Sequence, residues 1–468
     1  MITVLLIFFL ACLLMLYNYE SFGFTTAAIV SLVMYVYVFI GYMYRYRKGN
    51  LLCFEFFFSL SLLFCIFSFF INQNNDSFVA QLVYNSIGND AYLVKGLFVS
   101  LLMYISLMMG FCLANGKAVY VGMNVEGSQS SEGNMFQFKK FMFLSNIVAL
   151  CYTIIFILFI IIDLPFYINN RGAENDVETL WLGWLRFAQM LYTVLVILKS
   201  HYMNIQSLRS FYINNRYYCW TFVFLSVLLL LSGARHMFTT IALPMITLFS
   251  LLIYRVKNIY VFIGIAFFGF LFVIIRYARV GLLAEFDSDT SSFFNDFIPA
   301  SLATPWLIEY ADTYGYTYGT NYVLSILAIV PFLAGLVSQS GFMPALSSGK
   351  LFTISMYGED FSSGLGTSMV GDVYYSFGLI GSILFFFLFG FFICKLYNSV
   401  VVKKNFSPYL LIIYSSLLSE SLFFPRGIWT MFIRMSALVC IYYFLLSNLL
   451  VPNNSKFHKK VSGSPNDN

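Results

Sequence analysis

The chain has 468 residues, of which 60% are hydrophobic and only 10% charged, with 55 Phe and 34 Tyr. That balance excludes a soluble globular domain and puts the chain among polytopic membrane proteins. The net charge of +5 comes from basic residues scattered over short loops, which argues against a nucleic-acid-binding surface.

Apolar runs of roughly 17–25 residues, long enough to cross a bilayer as helices, fall near 2–19, 25–44, 51–71, 92–115, 141–162, 181–199, 219–234, 237–254, 259–276, 369–394, 408–424 and 429–450. The expected fold is therefore an all-α integral membrane protein with about twelve transmembrane helices, since a lone strand leaves its backbone unsatisfied in lipid. The first run lacks a basic start and a small-residue cleavage site, so it reads as a span rather than a removed leader. Ser232-Gly233-Ala234-Arg235-His236 interrupts one long apolar stretch and reads as a tight hairpin at the membrane surface. All eight cysteines fall in apolar runs and suggest neither a disulfide framework nor a metal cluster.

Lys and Arg set the orientation. Arg45, Arg47, Lys139, Lys140, Lys403 and Lys404 fall on the same side as both termini, and carboxylates such as Asp163, Glu309, Asp312 and Asp360 fall on the other. Both termini are thus expected in the cytoplasm. The chain divides into nine spans over 1–275, a large extracytoplasmic loop over 276–368, three spans over 369–450 and a disordered cytoplasmic tail over 451–468. Within the loop, 321–338 is apolar but broken by Pro331. It reads as a short interfacial helix, because a full span would place the basic 395–404 segment outside.

Four arginines, Arg235, Arg276, Arg279 and Arg426, stand at outer span ends, three of them close to Gly233, Gly281 or Gly427. A guanidinium there costs free energy unless it pairs or binds an anion, and its planar fork suits phosphate oxygens. Together they predict an anion site, and at that depth the anion is a lipid diphosphate; snorkelling or pairing with loop carboxylates is the plainer alternative. His236 can donate to phosphate or act as a base. Glu309, Asp312 and Asp360 lie among Tyr310, Tyr314, Tyr316, Tyr318 and Tyr357. Carboxylates interleaved with aromatics suit carbohydrate, with rings to stack on sugar faces and a carboxylate to accept a hydroxyl proton. Asp287-Ser288-Asp289 matches a metal-binding D-x-D pattern but reads as plain acidic loop, so no metal is expected. Glu55, Lys95, Arg186, Glu420 and Arg434 lie within or at the ends of spans and are suspect by position. Glu420 and Arg426, which flank Phe423-Phe424-Pro425, can pair with each other. With no Walker loop, HExxH or GxSxG, no cofactor is expected and the energy must come from the substrate.

Ser232-Gly-Ala-Arg235, Arg276…Arg279-x-Gly281, the block Gly364-Leu-Gly366-Thr-Ser-Met-Val-Gly371-Asp372-Val-Tyr374-Tyr375-Ser-Phe-Gly378 and the corner Phe424-Pro425-Arg426-Gly427 carry a resemblance. In these features and in its layout the chain resembles the O-antigen polymerases of the Wzy class, the oligosaccharide repeat-unit polymerases. The likeness covers architecture over the whole chain and residues over 230–430. It implies a GT-C-like polymerase or ligase architecture and a metal-independent glycosyltransferase of the bacterial inner membrane. Such an enzyme joins undecaprenyl-diphosphate-linked oligosaccharide units into O-antigen or capsular polysaccharide. The growing chain leaves its lipid diphosphate for a sugar hydroxyl of the next unit, and a chain-length regulator and a flippase are expected partners. Arg276, Arg279, Arg426, Arg235, Asp312 and Glu309 are expected to carry catalysis. His236, Asp360, Tyr314, Tyr357, Gly364, Gly366 and Asp372 are expected to bind substrate. The similar O-antigen ligases use a histidine in the large outer loop. This chain has none between 237 and 457, so a base would be a carboxylate or His236. The competing functions are a ligase, which differs only in acceptor, and a lipid-linked oligosaccharide flippase, which would place charges on broken helices at the bilayer midplane.

Overall fold

The computed structural model describes residues 1–47, 51–71, 78–115, 131–163, 165, 180–231, 235–280, 297–327, 329, 333, 336–337, 345–358, 366–427 and 429–450. Among them every regular element is helical. A helix occupies each predicted apolar run: α1 (Ile2–Tyr17), α2 (Phe24–Tyr42), α3 (Phe54–Ile71), then, after the short α4 (Phe78–Ser86), α5 (Ala91–Asn115), α6 (Ser131–Leu158) and α7 (Leu180–Tyr202). After the short α8 (Leu208–Asn214) come α9 (Arg216–Leu231), α10 (Arg235–Leu252) and α11 (Asn258–Val280). The 276–368 segment holds α12 (Ile298–Tyr314), α13 (Val323–Leu327) and α14 (Ser348–Tyr357), and α15 (Met369–Tyr397), α16 (Pro408–Glu420) and α17 (Met431–Leu450) follow. Among the described residues, seven stretches are long and apolar enough to cross a membrane: Phe24–Arg47, Phe54–Ile71, Ala91–Asn115, Gln137–Asp163, Trp181–Tyr202, Met369–Val402 and Phe432–Leu449. The chain is thus an α-helical, multi-pass membrane protein. The apolar helices at Ile2–Tyr17, Arg216–Leu230, His236–Leu252 and Asn258–Phe267 are shorter.

The centre of the molecule is α5, buried along nearly its whole length and packed most extensively on α15. Two glycines make that contact possible. A β-carbon at Gly110 would lie 2.1 Å from the Phe387 carbonyl oxygen, and one at Gly390 would lie 2.3 Å from that of Leu107. In lipid, where apolar surface gains nothing by leaving its solvent, such small-residue contacts let backbones approach and give dispersion its range. Helices α1, α2 and α12 also pack on α5, while α6, α10, α16 and α17 gather round α7. At one end, buried Arg47 pairs with buried Glu55, donates to the Asn115 side chain at 3.4 Å and lies over the Tyr397 ring at 3.9 Å. This arrangement ties together the ends of α2, α5 and α15 and the start of α3. Neither ion could stay charged at such burial without the other.

The segment expected to be one large loop with a single short helix is more structured than that. The run from Ala300 to Ile308 in α12 is buried. Pro305 packs on Gly96 of α5, Ser301 donates to the Ile66 carbonyl at 3.3 Å, and Leu307 presses on Gly371 of α15. Pro299, at the first helical turn, costs no hydrogen bond there. Of the apolar 321–338 run, the turn Thr320–Tyr322 leads into α13, and most of the rest lies outside the described residues, as does the 451–468 tail.

Helix α15 is broken. Gly378 has φ 66°, ψ −170°, and the Tyr316 ring lies where its β-carbon would be, 3.0 Å away. Beside this interruption the Tyr375 carbonyl accepts the Thr317 N–H at 3.1 Å, so the backbone stays satisfied across the break.

The orientation can be tested where residues are exposed. Tyr318 is 80% exposed and Lys403 is exposed, whereas Ser348 is fully buried and makes a poor probe. With the eight native cysteines replaced, Tyr318→Cys is expected to react with a membrane-impermeant thiol reagent added from outside, and Lys403→Cys to react only after lysis. The opposite pattern would invert the topology.

Candidate functional site

Two groups of side chains stand out, and the first is a ledge of tyrosines and acids at the end of α12. Glu309 and Asp312 are one turn apart and so share a helix face. Both Glu309 oxygens accept the Gly88 N–H, each at 3.1 Å. Asp312 pairs with Lys95 of α5 and accepts the Tyr374 hydroxyl at 2.9 Å. The Lys95 ammonium also lies over the Tyr92 and Tyr19 rings, at 5.2 and 5.5 Å. Tyr310 stacks on Trp306 and meets Tyr314 at 4.6 Å, and Tyr316 meets Tyr374 at 6.0 Å. Gly315 and Gly319, with φ of 94° and 84°, turn the chain so that Tyr314 and Tyr318 project outward, both largely exposed. Open aromatic faces beside fixed charges can stack on sugar rings and orient hydroxyls. As placed, each Asp312 oxygen already has a donor, Lys95 on one and the Tyr374 hydroxyl on the other, which makes the carboxylate a weaker base.

Beneath the ledge, Asp372 is fully buried in the first turn of α15. It accepts the Tyr322 hydroxyl at 2.7 Å and the Asn321 amide at 3.4 Å. Asn321 in turn accepts the Thr317 and Ser376 hydroxyls at 2.8 and 3.1 Å. Burial, and then the nearby Asp372 carboxylate, push the Tyr322 hydroxyl well above its ordinary pKa. This network fixes the 317–322 segment onto α15.

The second group is built on the turn after α16. The Gly-rich block and the Pro-Arg-Gly corner, about sixty residues apart, meet here: Thr367 N–H donates to the Arg426 carbonyl at 3.4 Å, and Gly366, φ 80°, lies against that same oxygen. The Arg426 guanidinium is 5.6 Å from the Phe297 ring and only partly buried. Among the described residues it has no carboxylate partner. Glu420 does not pair with Arg426. It accepts Arg186 of α7 at 3.1 Å and faces His236 Nε2 of α10 at 3.4 Å. The His236 ring lies 3.9 Å from the Phe423 ring. Sequence reasoning flagged Arg186 and Glu420 singly and missed that they form one cluster with His236. The available signal was that isolated charges in apolar helices must find each other.

Tyr357 ends α14 and is partly buried. Arg235 opens α10, and Arg276 and Arg279 lie in the last turns of α11, but their side chains lie outside the described residues. Asp360, Gly364, Asp287 and Asp289 lie outside them altogether. No family model matches the chain, and no curated protein or solved structure matches it.

Proposed function

We propose that the chain is a glycosyltransferase that polymerises undecaprenyl-diphosphate-linked oligosaccharide repeat units at the outer face of a bacterial inner membrane, with about twelve spans and both termini inside. The observation that carries this reading is Arg426, a partly exposed guanidinium with an aromatic neighbour and no carboxylate among the described residues. A lipid diphosphate is already an activated leaving group, so the protein's main task is to stabilise the charge that develops as it departs. A planar fork of parallel donors suits that task. The tyrosine ledge of Tyr314, Tyr316 and Tyr318 supplies stacking surface for the oligosaccharides.

The reading is tested with purified protein, lipid-linked repeat units and a gel or mass readout of chain length. A ladder of products supports it, and unchanged single units would end it. Turnover is expected to persist in EDTA, because arginine supplies the positive charge. Loss on chelation that is restored by Mg²⁺ or Mn²⁺ would give Asp287 and Asp289 a metal-binding role. The break in α15 at Gly378 is a feature a transporter reading would claim. The same assay separates the two, since a transporter moves lipid-linked units without lengthening them.

A further inference from the structure

Of the groups named above as possible bases, Asp312 is tied by Lys95 and the Tyr374 hydroxyl, and Glu309 by one Gly88 N–H shared between its two oxygens. His236 is placed differently. Its side chain is 35% exposed and sits at the start of α10, its ring tilted against that of Phe423. Nε2 faces Oε2 of Glu420, whose other oxygen is held by Arg186, and both of those ions are 7% exposed. A carboxylate at Nε2 selects the tautomer that carries its proton there and leaves Nδ1 with a lone pair. Nδ1 has no partner among the described residues. A backbone turn of a few residues joins this group to Arg426: Glu420 and Phe423 are linked by Phe423 N–H to the Glu420 carbonyl at 2.8 Å, and Arg426 N–H donates to the Phe423 carbonyl at 3.0 Å.

We propose that His236 is the base that activates the acceptor hydroxyl, with Glu420 and Arg186 as positioning residues; this rests on the polymerase reading. In the step, the acceptor hydroxyl gives its proton to His236 Nδ1 while its oxygen bonds to the donor's anomeric carbon. The bond from that carbon to the diphosphate oxygen breaks, and its electron pair leaves on the lipid diphosphate. The imidazolium then returns its proton to water. Glu420 holds the ring orientation and stabilises the transient imidazolium. Arg186 keeps that buried carboxylate in place, as its own burial in turn requires Glu420.

The test is single-turnover transfer on lipid-linked repeat units, measured against pH, with substrate binding measured separately. His236→Gln is expected to slow transfer by about 10²–10⁴-fold, the usual contribution of a positioned base, while binding stays within about twofold. The wild-type rate is expected to fall on the acid side as the imidazole takes up a proton, with Glu420 and Arg186 the charges that face it, and His236→Gln is expected to lack that limb. Glu420→Asp, which keeps the charge but shortens its reach, is expected to retain the limb at a reduced rate. A His236→Gln enzyme that transfers at the wild-type rate, or keeps the acid limb, would overturn the assignment and leave the polymerase reading standing. A His236→Gln protein that loses binding in proportion to transfer would make His236 a binding residue rather than the base and also overturn it. Wild-type protein that extends no lipid-linked unit at any pH would overturn both.

Discussion

Gly110→Ala and Gly390→Ala are each expected to destabilise the folded protein by ~3 kcal/mol, the upper part of the range for overpacked cores. The added methyl at Gly110 would lie 2.1 Å from a backbone carbonyl oxygen and at Gly390 2.3 Å from another. A side chain can rotate out of such a clash; a carbonyl inside a helix cannot move without opening the α5–α15 contact. That contact is the most extensive in the molecule, so its loss spreads to α1, α2 and α12, which pack on α5. Gly264→Ala, on α11, is the control. A β-carbon there meets nothing within 4 Å, and alanine is the better helix former by roughly 0.5–1 kcal/mol. Thermal unfolding in detergent should therefore show lowered midpoints for the first two and an unchanged or raised one for the third. Equal midpoints for all three would mean that the two helices do not approach as described.

On the proposed polymerase reading, Arg426→Ala is expected to cut polymer formation by about 10²–10³-fold, the usual cost of removing one donor from a developing oxyanion, while single repeat units accumulate on the lipid carrier. Arg426→Lys should restore little, since an ammonium is a point charge and cannot present two parallel donors to a phosphate. The Thr367 contact is to the Arg426 backbone carbonyl and survives both changes, so expression and folding should be preserved. Full-length polymer from Arg426→Ala at normal abundance would remove this residue from the chemistry.

The helix positions were legible because lipid makes one demand, a long apolar run, and the sequence meets it openly. Helix α12 was not legible. Its buried face includes Ser301, Thr304 and Pro305, and its burial comes from contact with α3, α5 and α15 rather than from hydropathy. Gly110 and Gly390 look like any glycine in a span until the partner helix is known. The site was legible by residue type but not by pairing. Glu420 and Arg426 are six positions apart and looked like partners, yet α16 ends at Glu420 and a tight turn intervenes, so Glu420 instead reaches Arg186, 234 positions away. The Gly-rich block and the Pro-Arg-Gly corner were each noticed, but nothing in the sequence says that Thr367 binds the Arg426 carbonyl. Such pairings are decided by which helices are neighbours, which periodicity does not encode.

The break at Gly378 divides α15 into two pieces with different attachments. The N-terminal piece is held by Asp372 and Ser376 to the 317–322 segment, and the C-terminal piece is clamped to α5 through Gly390. A continuous helix would transmit a fraying event along its hydrogen-bond ladder, whereas an interrupted one need not. The two pieces can therefore open as separate cooperative units, each with its own free energy. Occupancy of the tyrosine ledge would then slow amide exchange in Met369–Phe377 and leave Leu379–Tyr397 unchanged.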